Sequence, residues 1–379
     1  MNGDAASSPL QRLRELGQSV WIDYLSRDLL ESGDLARLVR DDAVVGVTSN
    51  PTIFQRALAE GDAYDRQLRT LVGAGLDRKD IFLELACADV AAACDLLRPV
   101  WERTDHLDGY VSIEVDPNLA HNTAAQYEEA RQLHERIARP NLYVKIPATR
   151  AGLAAIEDSI AAGRSINVTL IFSIARYVEV ARAYLNGLVR FRAAGGDVST
   201  VHSVASFFVS RVDTETDRRL TALGAASGLR GRLGIANAKI AYGRYSELFS
   251  PDHRLWAELA AAGAQPQRCL WASTSTKDPA YRDVRYVEEL IGPETVSTMP
   301  AATLRAFQDH GTVSPTLERG RVDAHRLLAQ LAAVGVDYDN VVETLEADGI
   351  QTFVDAFAQL LSGLEAKEQL LRRTGAVAR

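Results

Sequence analysis

The residues best suited to chemistry begin with a lysine inside a strand-like run, Leu142-Tyr143-Val144-Lys145-Ile146-Pro147-Ala148-Thr149. Alternation places Leu142, Val144 and Ile146 on one face and Tyr143 and Lys145 on the other. An ammonium group in a desolvated cavity gives up its proton more readily than one in water, and a neutral amine is a nucleophile for a carbonyl carbon. The chemistry indicated is Schiff-base formation with a ketone. The carbinolamine then has to lose water, which needs a proton carrier, and Glu114 with the Thr169 hydroxyl meets that need through a bound water. Breaking the next carbon–carbon bond needs a base for a hydroxyl, a role open to Asp23. Acid–base help of this kind is worth about 10² to 10⁴ in rate for each group. The protonated imine is its own electron sink, so the scheme calls for no metal and no cofactor.

These residues need elements to bring them together, and short apolar runs recur along the chain. Strands are predicted at Val20–Tyr24, Val44–Asn50, Tyr110–Val115, the Lys145 run, Ser165–Leu170, Val201–Phe207, Cys269–Ser273 and Thr295–Met299. Helical patterns separate them, among them Leu119–Ala138, Gly152–Ala162, Ile174–Arg192 and Tyr281–Ile291. Eight strands alternating with helices read as an α/β fold, a (β/α)8 TIM barrel in preference to a doubly wound open sheet. The expectation is one domain over residues 1–379, with a helical insertion at about 213–263 and long C-terminal helices at about 319–372.

Applied strand by strand, alternation collects the polar residues on one face. Asp23 goes with Trp21; Asn50 with Thr48 and Gly46; Glu114 with Ser112 and Tyr110. Asn167 and Thr169 go with Ser165, Ser206 with Val204 and His202, and Ser273 with Trp271. Most fall late in their strands, where a parallel barrel builds its site. One such residue alone is more simply a satisfied ion pair or a solvated strand end. Buried carboxylates, an amine and amides facing one cavity from seven strands favour a reacting site.

The whole-chain properties agree. Across 379 residues, 47% are apolar and 24% charged, as in a globular protein with a sizeable core. A net charge of −8, mixed along the chain, argues against nucleic-acid or anionic-membrane surfaces and leaves room for a small basic pocket. Met1–Gln18 has no apolar core and is not read as a secretory signal; no run approaches the roughly 18 apolar residues of a membrane span. Three cysteines, Cys87, Cys94 and Cys269, read as buried thiols of a cytoplasmic protein, and no Cys/His spacing suits zinc.

The motifs resemble those of the transaldolase family. Gly46-Val47-Thr48-Ser49-Asn50-Pro51-Thr52-Ile53-Phe54 is similar to the family's first signature, and Tyr143–Thr149 running on to Gly152-Leu153 to the second, which carries the Schiff-base lysine. Ser112–Asp116, Asn167–Ser173 and Ser206–Arg211 follow in order, and Trp271–Lys277 with the chain length suggests the longer bacterial subfamily. The resemblance implies a class I aldolase-type barrel that moves a dihydroxyacetone unit from sedoheptulose 7-phosphate to glyceraldehyde 3-phosphate. It implies that Lys145 forms the imine, Glu114 and Thr169 handle water, and Asp23 moves the aldol proton. It further implies that Asn50 and Asn167 bond the sugar hydroxyls beside Ser206, and that Arg211 holds the phosphate. A second phosphate arginine, expected just after strand seven, is absent from Ser273-Thr274-Ser275-Thr276-Lys277, which leaves Lys277 to supply the charge or to be a solvated loop lysine. The implied partners are phosphorylated ketoses and aldoses, with either a monomer or a homodimer open. The nearest alternative is a fructose 6-phosphate aldolase, shorter and without the strand-three glutamate; a non-catalytic sugar-phosphate-binding barrel is the other.

Overall fold

Eight parallel strands close into one barrel in sequence order, with the last hydrogen-bonded to the first. The computed structural model describes residues 7–59, 61–225 and 227–373; the start of Met1–Gln18 and one position of the 213–263 segment lie outside them. The strands are β1 Gln18–Asp23, β2 Val44–Thr48, β3 Tyr110–Glu114, β4 Leu142–Pro147, β5 Ile166–Ile171, β6 Ser203–Phe208, β7 Arg268–Ala272 and β8 Thr295–Met299. Closure rules out the open doubly wound sheet. Each strand carries apolar residues toward the surrounding helices, so Ile113, Val144, Ile146, Ile166 and Val168 are almost fully buried. No helix among the described residues is long and apolar enough to cross a membrane.

Inside the barrel the inward faces form two zones. Toward the amino ends of the strands, the Tyr110 and Tyr143 rings stack at 4.1 Å, and Trp21 lies 6.2 Å from Tyr143. Gly46 is glycine because a Cβ there would come within 2.4 Å of the Trp21 ring. Beneath the aromatics, Arg268 pairs with Asp108 at 2.9 Å and bonds the Ser19 hydroxyl at 2.8 Å. Above them, toward the carboxyl ends, lies the polar zone that contains Lys145.

Several predicted boundaries move, each for a local reason. β2 stops at Thr48 because Asn50 turns out to cap the next helix, its Oδ1 accepting from the Ile53 N–H at 3.1 Å. β7 stops at Ala272 because Ser273 takes a left-handed φ of 55°. β5 runs one residue further than predicted, and its register with β6 shifts around Leu170, at φ 57°. The predicted helix Leu119–Ala138 is a 3₁₀ turn, Pro117–Leu119, then a helix Thr123–Ile137 capped by the Asn122 side chain. Only Arg285–Glu288 of the predicted helix Tyr281–Ile291 is helical. There Asp278 caps a turn at Ala280, and Tyr281 is tied to Asp217 at 2.6 Å, so tertiary bonds outweigh helix propensity.

The two long segments are helical. Ser210–Ala222 follows β6, and Leu233–Leu248 and Arg254–Ala260 come before β7. After β8 and helix Ala301–His310, the chain forms Arg321–Ala333 and the 36-residue helix Tyr338–Arg373. That last helix packs against Pro51–Ala59 through an aromatic line, Phe54 to Phe82 at 5.6 Å and Phe82 to Phe357 at 5.5 Å. It also presses on the end of β5, where a Cβ on Gly349 would lie 3.2 Å from Leu170.

Candidate active site

The register of β3, β4 and β5 sets Glu114, Lys145 and Asn167 side by side. Lys145 is 4% exposed; its Nζ lies 3.3 Å from Glu114 Oε2 and donates to the Ser49 carbonyl at 3.0 Å. Ser49 is itself fixed by a 2.7 Å bond from its hydroxyl to the Ser112 carbonyl, so the lysine is anchored to β2 and β3 at once. The strand end behind it is equally constrained. Thr149 caps helix Arg150–Ala161 by accepting from the Gly152 N–H at 2.9 Å. A Cβ on Gly152 would lie 2.0 Å from the Pro147 carbonyl oxygen. The spacing from Lys145 to Gly152 thus follows from a strand that turns directly into a tightly packed helix.

Burial raises the carboxyls of both Asp23 and Glu114 above their ordinary range, and the Lys145 charge opposes the shift in each case. Asp23 accepts from the Thr48 hydroxyl at 2.7 Å, and the Thr48 oxygen lies 2.7 Å from that of Thr298. With Thr48 donating to the carboxylate, Thr298 donates to Thr48, a relay across β1, β2 and β8. Among the described residues, Thr169 Oγ1 is buried without a hydrogen-bond partner, and Glu114 Oε2 is buried with only the Lys145 ammonium beside it. Two such atoms beside a buried amine have capacity left for water or substrate oxygen.

Asn167 donates to Ser112 Oγ at 3.0 Å and accepts from Ser206 Oγ at 2.6 Å. Its amide is thereby oriented from both ends.

These groups meet at a cleft of about 280 Å³ at the carboxyl ends of the strands. Asp23, Asn50, Lys145, Thr169, Ser206, Arg211 and Lys277 all line it. Glu114 and Asn167 stand behind that lining and reach it through Lys145 and Ser206. Arg211 lies over the rings of Phe208 at 5.5 Å and Phe353 at 5.9 Å. Lys277 donates to Ser275 at 2.8 Å, and its ammonium is lowered from the ordinary range by burial and then by Arg211. All nine predicted side chains therefore fall at one end of the barrel.

Sequence reasoning missed four others there: Arg56, Thr298, Phe353 and the role of Thr48. Thr48 stands on the predicted polar face and simply received no role. Thr298 was obscured because β8 has more polar residues on its other face, Thr295 and Ser297. Arg56 carries a usable signal, since Thr52, Ile53 and Arg56 share one helix face. Phe353 carries none, because it lies 145 residues beyond Phe208 and meets the cleft only through the packing of the last helix.

Fold and site together define a class: a parallel eight-stranded barrel with an amine, two buried carboxyls and a cationic rim at the carboxyl ends of its strands. The transaldolase/fructose-6-phosphate aldolase family model matches residues 20–364, and the chain belongs to that family. A transaldolase of Thermobifida fusca is 53% identical over 357 residues, covering 93% of this chain and 96% of that one. Transaldolase 1 of Streptomyces coelicolor is 52% identical over 363 residues, 95% of each chain. A transaldolase of Acidothermus cellulolyticus is 49% identical over 369 residues, 97% of this chain and 99% of that one.

Proposed function

We propose that the chain is a transaldolase of the pentose phosphate pathway, moving a dihydroxyacetone unit from sedoheptulose 7-phosphate to glyceraldehyde 3-phosphate through an imine on Lys145. The observation that carries the mechanism is the buried Lys145 amine paired at 3.3 Å with the buried Glu114 carboxyl. The amine attacks the ketose carbonyl carbon. Glu114 and the Thr169 hydroxyl then pass a proton to the carbinolamine oxygen, which leaves as water. Asp23, as carboxylate, takes the proton of the hydroxyl two carbons along from the iminium carbon, on the far side of the bond that breaks. The carbon–carbon bond breaks, its electron pair moves to the iminium nitrogen, and erythrose 4-phosphate departs. The enamine left on Lys145 attacks the acceptor aldehyde, Asp23 returns the proton, and hydrolysis frees fructose 6-phosphate.

Asn50 and the Asn167–Ser206 pair suit the hydroxyls of the three-carbon unit, while Arg211 and Lys277 suit the phosphate, where charge-assisted bonds are the strong kind. The scheme uses side chains alone. We read the barrel with its 213–263 and C-terminal helices as one unit, a reading supported by the single family match over residues 20–364. Three buried free cysteines fit a reducing, cytoplasmic setting.

The test is to incubate the protein with fructose 6-phosphate, reduce with borohydride and map the peptides. A three-carbon ketose adduct on the Lys145 peptide is expected; its absence would refute the imine. With sedoheptulose 7-phosphate as donor, repeated turnover to erythrose 4-phosphate should require an acceptor aldehyde. Release of free dihydroxyacetone without acceptor would instead favour the aldolase reading, against which the strand-three carboxyl Glu114 weighs.

A further inference from the structure

We propose that Arg56 is a specificity-determining cation of the phosphate subsite, replacing the guanidinium that is absent after β7. The inference rests on the transaldolase reading for the identity of the phosphorylated sugar, and on geometry for the anion site itself.

Arg56 lies on helix Pro51–Ala59, which begins directly after the Asn50 turn. With Thr52 and Ile53 it presents one face to the cleft, across from Arg211 and Lys277. The charges are near enough to act on each other, since Arg56 and Arg211 both push the Lys277 ammonium toward its neutral form. Exposed arginines on other helices commonly carry a carboxylate one turn away, as Arg98 has Glu102 and Arg131 has Glu135. Among the described residues, Arg56 makes no hydrogen bond or ion pair, Lys277 bonds only Ser275, and Arg211 rests on two aromatic rings.

Three cations converge on one rim; Asp23 in the same cleft offsets part of the charge on Lys277 and Arg211, and the excess positive charge that remains favours an anion there. A phosphate monoester carries about −1.5 to −2 charges near neutral pH and three acceptor oxygens. Arg211 and Lys277 reach it from the β6 and β7 side, and Arg56 closes the opposite side with a planar guanidinium able to bond two oxygens. Arg56 touches no reacting carbon, so its effect belongs in the binding of phosphorylated substrates.

The experiment compares full-length wild type with R56A and R56K. Inorganic phosphate is titrated calorimetrically, and KM is measured for glyceraldehyde 3-phosphate and for unphosphorylated glyceraldehyde. R56A is expected to weaken phosphate binding, and to raise KM for the phosphorylated aldehyde, by about tenfold, the size of one charge-assisted hydrogen bond. Constants for glyceraldehyde and the midpoint of thermal unfolding should not move, and R56K, which keeps the charge without the planar fork, should recover part of the loss. Unchanged phosphate affinity, or equal losses with both aldehydes, would overturn the assignment. The phosphate titration needs no turnover, so a wild type without the Lys145 adduct would refute the imine while the titration still decides Arg56.

Discussion

Two carboxyls serve the reaction with opposite demands, and their surroundings separate them. Glu114 is paired with the amine and, among the described residues, has no hydroxyl donor, whereas Asp23 is held by a hydroxyl donor from Thr48. Asp23 has to be ionised to accept the aldol proton, and burial, the largest influence on it, works against that. The Thr48 hydroxyl counters burial by stabilising the carboxylate. Removing that donor in T48V disfavours the charged form. The acid limb of kcat/KM should therefore move to higher pH by about one unit, the equivalent of one hydrogen bond to a charge at 1.36 kcal/mol per unit. A pH–rate profile measures it; a limb that stays in place would remove Thr48 from the support of Asp23.

At the scale of elements, the site depends on how strand ends turn into helices. β4 passes through Pro147 into a helix whose third residue, Gly152, sits under the Pro147 carbonyl. In G152A a methyl group has to displace the Pro147 backbone, two residues beyond Lys145. The variant should lose about 1–3 kcal/mol in denaturant unfolding, the usual cost of overpacking. Its kcat should also fall, because Lys145 shifts with the strand end, and a variant as stable and active as wild type would contradict the packing argument. The last helix acts on the same site from far along the chain, placing Phe353 under Arg211 and in the cleft wall.

For the whole molecule, a buried carboxyl is among the ties that join the inserted helix Leu233–Leu248 to the barrel. Asp213 accepts from the Gly234 N–H at 2.6 Å and from the Tyr286 hydroxyl at 2.9 Å, linking the helix after β6, the insertion and the segment before β8. Burial, as the main cause, raises its pKa from 3.8 to about 6. The folded state thus holds this proton more tightly than the unfolded chain does. That contribution is fully present below the ordinary aspartate pKa and is lost as pH rises through about 6. Relative to D213N, which does not titrate, the wild type should lose about 2 kcal/mol of unfolding free energy between pH 4 and 6, at 1.36 kcal/mol per pKa unit. Parallel stability curves for the two proteins would count against the linkage.

By itself the sequence determined the parallel barrel and the inward face of its strands. Side-chain alternation is a local property, and apolar runs separated by helices leave few ways to bury both faces. The same rule puts Lys145, Glu114, Asp23 and Thr48 on the one polar face of their strands. What alternation does not reach is the meaning of a strand that changes direction: the left-handed Ser273, the shifted register at Leu170 and the capping turn at Asn50. Nor does it reach partners far apart in the chain. The tertiary structure alone decided that Thr298 supports Asp23 through Thr48, that Phe353 lies under Arg211, and that Arg56 faces Lys277. Each depends on where one element lies against another, which is set by the packing of the whole barrel and leaves no periodic trace in the residues concerned.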